Sequence, residues 1–404
     1  MRLTLKTRPV IVTNARNRIA YNIIKSLGQK GIPVYSADSI ARAMSFSSRY
    51  SKGHFLYPSP FTDQQGFIDC LIENIIKLKA EVLMPVFEET FLIAKHKDHL
   101  SRYVNIVLPT YDQILTAHNK DKWEPIARSL NIPVPRTVAI DDIQNQNTDV
   151  RSLSYPVFIK PKQGGGAWAI KQIDSPQELR IFLNQPLYLD RPWSRFFIQE
   201  KIIGETMCVA MLFCKGEYKA KVAYRQIRNY PVSGGQATLR ISISNKDAEI
   251  NFQRLLEKFN WHGVCQADFV VDDRTGIPYL IDINPRFWGS LVQGIACGVD
   301  FPYIVYRMAI EGDIESISAF KIGVTTRWLG GDLMTFFPLL RSAEKRLAFI
   351  KQFVAPNSGR VTYDDFSLKD PLPFFSWMLD GVIRMVHDHS LSPSPHDSLA
   401  GIWE

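Results

Sequence analysis

Tyr279-Leu280-Ile281-Asp282-Ile283-Asn284-Pro285-Arg286, preceded by Gln266-Ala267-Asp268-Phe269, is the stretch on which the fold turns. If both runs are strands, alternation puts Asp282 and Asn284 on one face, and a neighbouring strand can bring Asp268 alongside them. Three hard oxygen donors then converge. Such a set suits one or two Mg²⁺ ions whose coordination is completed by nucleotide phosphates, and Mn²⁺ accepts the same donors. Arg286, just past the strand, can hold a transferring phosphoryl group through bidentate bonds. The plainer alternative is a pair of surface carboxylates at strand ends.

Working outward, Lys160 stands in VFIKPKQGGGAWAI, where an apolar strand runs into Gly164, Gly165 and Gly166. An ammonium and close-approaching backbone N–H groups can cradle a polyphosphate there, although a flexible hairpin would carry the same glycines. The loop lacks the GK[ST] ending of a P-loop. Arg225 and Arg228, in YRQIRNYPVSGG, are spaced to receive a phosphate or a substrate carboxylate, with Arg327 as a further candidate. Lys122 by itself reads as a surface lysine on a helix. His262 and the aromatic residues Phe287, Trp288, Phe301 and Tyr303 read as packing residues.

The start of the chain, RPVIVTN followed by a helical Arg18–Gly31 segment and a strand at Ile32–Ser36, is a β-α-β opening. With AEVLMPVFEE it predicts an open parallel sheet up to about residue 115, and the first turn, TNARNR, lacks the GxGxxG of a dinucleotide fold. Prolines in IPVPRT mark a boundary near residue 133, followed by a small α+β unit. From Glu205 the strand-like runs MCVAMLF, YKAKVAY, CQADFVV and PYLIDIN predict a mostly antiparallel sheet.

The 404 residues carry a net charge of +8, with Lys and Arg dispersed rather than blocked, which disfavours a nucleic-acid partner. Five cysteines without CxxC spacing argue against disulfides and zinc. No apolar run approaches the ~18–20 residues of a membrane span, so a cytoplasmic location is expected, with no membrane partner.

In their order along the chain, these pieces resemble the ATP-grasp superfamily, in particular its carbamoyl-phosphate-synthetase-like carboxylate-amine ligases. The resemblance implies a multidomain α/β and α+β chain. Its parts would be an N-terminal Rossmann-like (pre-ATP-grasp) domain at 1–115, a lid subdomain at 116–200, a catalytic subdomain at 201–313 and a C-terminal extension at 314–404. It further implies that Lys122 and Lys160 bind ATP phosphates, that Gln199, Glu200, Lys201 and Ile203 line the adenine, and that Glu205 lies near the ribose. Asp268, Asp282 and Asn284 would be metal ligands, although the family usually has Glu at the position of Asp282. Arg286 would act in catalysis, and Arg225 and Arg228 are candidates for holding a substrate carboxylate. The implied reaction joins a small carboxylate to an amine through an acyl phosphate, and a homodimer is compatible with it. A bicarbonate-dependent carboxylase or carbamoyl-phosphate-type enzyme is the first alternative, and a non-catalytic nucleotide-binding regulator or nucleic-acid-binding protein the second.

Overall fold

The computed structural model describes residues 7–144, 149–162, 171–184, 196–230, 235–339 and 361–387. Its first sheet contains β1 (Val10–Val12), β2 (Val34–Asp38), β3 (Gly53–Leu56) and β4 (Val82–Met84), all paired in parallel in the order β3-β2-β1-β4. Parallel neighbours need crossovers, and the helix Arg18–Gly28 supplies the first. Asn17 starts that helix by accepting the Ile19 N–H. The order reverses between β1 and β4, so the loops after these two strands open a crevice at their carboxyl ends.

The second sheet, β5 (Thr137–Ala139), β6 (Val157–Pro161), β7 (Lys171–Ile173) and β8 (Phe196–Glu200), is antiparallel in the order β5-β8-β6-β7. Alternation divides it cleanly. Val138, Val157, Ile159, Ile173 and Ile198 turn inward to pack on Leu179 and Phe182 of the helix Pro176–Leu183. The other face carries Thr137, Phe158, Lys160, Gln172 and Gln199.

The third sheet comprises β9 (Gly204–Cys214), β10 (Glu217–Tyr230), β11 (Gln236–Ser242), β12 (Gly263–Asp272), β13 (Pro278–Asn284), β14 (Thr325–Arg327) and β15 (Thr362–Tyr363). Its order is β13-β12-β9-β10-β11-β14-β15, antiparallel except for the β14–β15 pair. One face, with Met207, Val209, Met211, Cys265, Ala267 and Phe269, packs on Phe252, Leu255 and Leu256 of the helix Lys246–Lys258. The opposite face, with Cys208, Ala210, Leu212, Val222 and Tyr224, packs on Phe287, Trp288 and Leu291 and on the first sheet's helix through Ile19 and Ile23. Each fully buried Phe or Leu in these layers contributes about 1.5–3 kcal/mol. Gly204 is required where β9 meets β12, because a Cβ there would lie 1.8 Å from the Val271 carbonyl oxygen.

Residues beyond Asp313 complete this sheet rather than merely trailing from it. Strands β14 and β15 extend it, and Asp364 pairs with Arg240, both side chains wholly buried. The basic RSAEKRLAFIKQF stretch lies outside the described residues. All five cysteines are free thiols, four of them buried. Among the described residues no helix is long and apolar enough to cross a membrane.

Candidate active site

Asp268 and Asp282 are register partners on β12 and β13, and Gln266 and Asn284 are partners one step along, so all four side chains share one face. Asn284 donates its amide to Gln266 at 2.8 Å and more loosely to Asp268 at 3.4 Å. Asp268 also accepts from Gln266 (2.8 Å) and from the Cys208 thiol (2.9 Å). Burial, with Asp282 opposite, raises the Asp268 pKa above the usual carboxylate range. Like charges directly opposite on neighbouring strands repel, so the pair calls for a cation.

Lys120 supplies one, forming an ion pair with Asp282. Desolvation pushes the Asp282 carboxyl up, but the Lys120 ammonium outweighs it and holds the group below its ordinary value. Lys120 begins the helix Lys120–Ser129, which Asn119 caps by accepting the Asp121 N–H. Trp123, fully buried, anchors the helix, and Glu124 on the next turn meets the second sheet.

On the open face of that sheet, Lys160 donates to the Gln199 side-chain oxygen at 2.9 Å. The Gln199 amide reaches Thr137 (3.0 Å) and Glu124 (3.3 Å), so a buried amide fixes the height of the lysine. Desolvation, reinforced by Lys120, lowers the Lys160 pKa to about 8, with Asp282 and Glu124 opposing. Lys120 and Asp282 are thus near enough to Lys160 for their charges to act on it.

Several residues named from the sequence stand elsewhere. Lys122 is exposed; two helical residues turn the chain by about 200°, so if Lys120 points at the carboxylates Lys122 points away. Glu200 turns to the core side of its sheet, where it accepts the Ser154 N–H at 2.8 Å and lies 3.6 Å from Arg136. Lys201 stays on the open face, bonded to Gln172 at 3.0 Å and close to the Phe158 ring, while Ile203 is 62% exposed. Gly164, Gly165 and Gly166 lie outside the described residues.

Glu205 and Arg225 form an ion pair at 2.7 Å, and the register places them with Met207 and Phe269 on the face opposite Asp268. Arg225 is thereby separated from the carboxylate face. Arg228, on β10, meets buried Asp332 at 2.9 Å, and Arg327 pairs with the same carboxylate. His262 accepts the Lys215 N–H at 3.3 Å, a local packing bond.

Arg286, two residues past β13, meets the loop after β4. Its guanidinium stacks over Phe87 at 4.1 Å and lies 3.4 Å from Glu88, whose loop follows β4. Lys120 and Glu88 were missed in the sequence. An Asn before Lys120 gave a helix-start signal; the adjacent acids of PVFEE gave one for Glu88.

The donors fit a hard divalent cation: two facing carboxylates, with Asn284 held beside them by its own amide. Among the described residues no group of three or more His, Cys, Asp or Glu is placed to hold a metal, so phosphate or water oxygens must complete the coordination.

Comparison with known proteins converges on the same elements. The model of the ATP-grasp domain family matches residues 117–290. The carbamoyl phosphate synthase large chain of Thermotoga petrophila is 22% identical over 257 residues, 59% of this chain and 22% of that one. The D-alanine--D-alanine ligase of Flavobacterium psychrophilum is 22% identical over 187 residues, 43% of this chain and 55% of that one. The chain thus spans about a fifth of the carbamoyl phosphate synthase chains it matches. Among solved structures, the L-amino acid ligase of Bacillus licheniformis superposes with a TM-score of 0.59 at 16% identity, covering 76% of this chain and 75% of that one. Biotin carboxylase of Campylobacter jejuni gives 0.63 at 13% identity, covering 78% and 74%.

Proposed function

This chain carries an ATP-grasp domain, and from that premise we propose that it is an ATP-dependent ligase joining a carboxylate to an amine through an acyl phosphate. The observation that carries the reading is the Lys120–Asp282 ion pair beside the Asp268–Asp282 register pair, with Lys160 near enough for the charges of Lys120 and Asp282 to act on it. Two cations near two carboxylates are the complement of a metal-bound polyphosphate.

In this reading residues 1–115 form the Rossmann-like pre-ATP-grasp domain, 116–200 the lid and 201–313 the catalytic subdomain, with β14 and β15 of the 314–404 extension completing its sheet. Asp268, Asp282 and Asn284 would hold Mg²⁺, or Mn²⁺, which would supply positive charge against the phosphates. Lys120 and Lys160 hold the phosphates of ATP, while Gln199, Lys201 and Ile203 line the base. Arg286, kept flat on Phe87, steadies the oxygens of the transferring group.

A substrate carboxylate oxygen attacks the γ-phosphorus and ADP departs. The amine then attacks the acyl carbon, the C–O bond to phosphate breaks, and phosphate leaves with the electron pair. The protein's share is positioning and charge stabilisation in a site shielded from water. A cytoplasmic location and a homodimer accompany this reading, one similar biotin carboxylase domain being described as a dimer.

Screening amino acids and small carboxylates for ADP formation, with products identified by mass spectrometry, tests it. Amine-dependent ADP release should vanish in Lys160→Ala and Asp282→Asn proteins that remain folded; unchanged release in either contradicts the assignment. A second reading takes bicarbonate as the carboxylate, as a similar biotin carboxylase domain is described bound to it. Bicarbonate-dependent ATP turnover without any amine would support it.

A further inference from the structure

Glu88 is buried at 9% exposure, and its Oε2 has no hydrogen-bond partner among the described residues. A buried carboxylate oxygen left without a partner is costly, so its retention calls for a reason. The other oxygen, Oε1, lies 3.4 Å from Arg286. Its neighbour Glu89 is fully engaged: it accepts from Thr13 (2.6 Å), Asn14 (3.2 Å) and the backbone N–H groups of Val86 (2.9 Å) and Phe87 (3.2 Å). That bonding ties the loop after β1 to the loop after β4, at the switch point of the parallel sheet, where crevices bind ligands. Glu89 thus sets the loop, and Glu88 is left facing the arginine.

We propose that Glu88 receives the ammonium group of the amine substrate and takes its proton as the nitrogen attacks the acyl phosphate. The inference rests on the ligase reading and names the residue that serves its second half-reaction. An amine arrives protonated and has no lone pair to offer. A carboxylate beside Arg286 attracts the ammonium and accepts one N–H proton; the freed lone pair forms the C–N bond, and the C–O bond to phosphate breaks. The new C–N bond leaves the nitrogen positively charged, and it sheds a second proton to the departing phosphate, while the first passes from Glu88 to solvent. Burial raises the Glu88 pKa above the usual range, with Arg286 opposing and Glu89 reinforcing the shift, which makes it a better proton acceptor.

Glu88→Gln keeps shape and removes the base. With the amino acids found by the screen, kcat/KM for the amine should fall by about 10²–10⁴. Hydroxylamine, already a free base at neutral pH, should restore hydroxamate formation from the same carboxylate. Equal loss with both nucleophiles overturns the proposal, as does retention of amino-acid activity. A second measurement needs no turnover: in protein labelled with ¹³Cδ-glutamate and holding MgADP, the signal absent from Glu88→Gln should move on adding glycinamide. An unmoved signal also overturns it. If the wild-type protein forms no hydroxamate from any carboxylate in the screen, the ligase reading fails, and the carboxyl signal still decides the ammonium site.

Discussion

Lys120 and Asp282, 162 residues apart, form an ion pair that fastens the first turn of the helix Lys120–Ser129 to the edge strand β13. The lysine is 12% exposed and the carboxylate 38%, so the pair borders an open gap rather than a closed core. An incoming triphosphate would find the ammonium already in place and could release Asp282 to a metal ion.

This relationship separates two neighbouring lysines. Lys120→Ala should lower ATP-dependent ADP release by roughly 10²–10³, the scale of one preorganised charge-stabilising contact. Lys122→Ala, on the exposed side of the helix, should leave it unchanged. Steady-state ADP release by both variants checks this, and the reverse ranking would restore the assignment made from the sequence.

If Lys160 holds the phosphates as proposed, nucleotide binding should depend on pH. Its free ammonium loses its proton near pH 8, having been lowered mainly by desolvation, whereas bound phosphate would favour the charged form. ATP affinity should therefore hold below pH 8 and weaken above it, with proton uptake on binding near and above that pH. Titration calorimetry in buffers of different ionisation enthalpy reads the uptake directly. Lys160→Ala should abolish this uptake.

Arg225 points to the side of the sheet away from Asp268 and already pairs with Glu205. Its replacement by Ala should leave kcat and the KM for ATP unchanged, and should cost about 0–1 kcal/mol of stability as an exposed pair. A loss comparable to that of Asp282→Asn would mean that this face also touches substrate.

The sheets were legible because alternation is strict where both faces are buried: Met207, Val209 and Met211 go to one layer, Cys208, Ala210 and Leu212 to the other. The same period correctly put Asp282 and Asn284 on a common face with Asp268. What failed was phase and distance. Lys122 comes from the resemblance, and which of two lysines two residues apart turns toward the carboxylates is set by how the helix Lys120–Ser129 docks, which no local pattern shows. Arg228 and Arg327 find a single carboxylate, Asp332, 104 residues from the former. Strands β14 and β15 contain three and two residues, too short to show a period, and they are fixed by pairing with distant β11 and with each other. Glu88 was hidden because burial of a charge depends on the facing sheet, which supplies Arg286.

Asp364 tests the contribution of those late residues. It is wholly buried against Arg240, with the Arg18 Nε 3.5 Å away. Asp364→Ala leaves a buried guanidinium without its carboxylate and should destabilise the fold by about 3–5 kcal/mol. Denaturant unfolding measures it; a change below about 1 kcal/mol, the worth of a surface pair, would mean that the C-terminal strands are dispensable.

The acyl phosphate is the central claim, and an oxygen label follows it most directly. When the carboxylate found by the amino-acid screen carries ¹⁸O in both oxygens, the phosphate released with each amide should contain ¹⁸O. Amide formation with unlabelled phosphate would contradict the account.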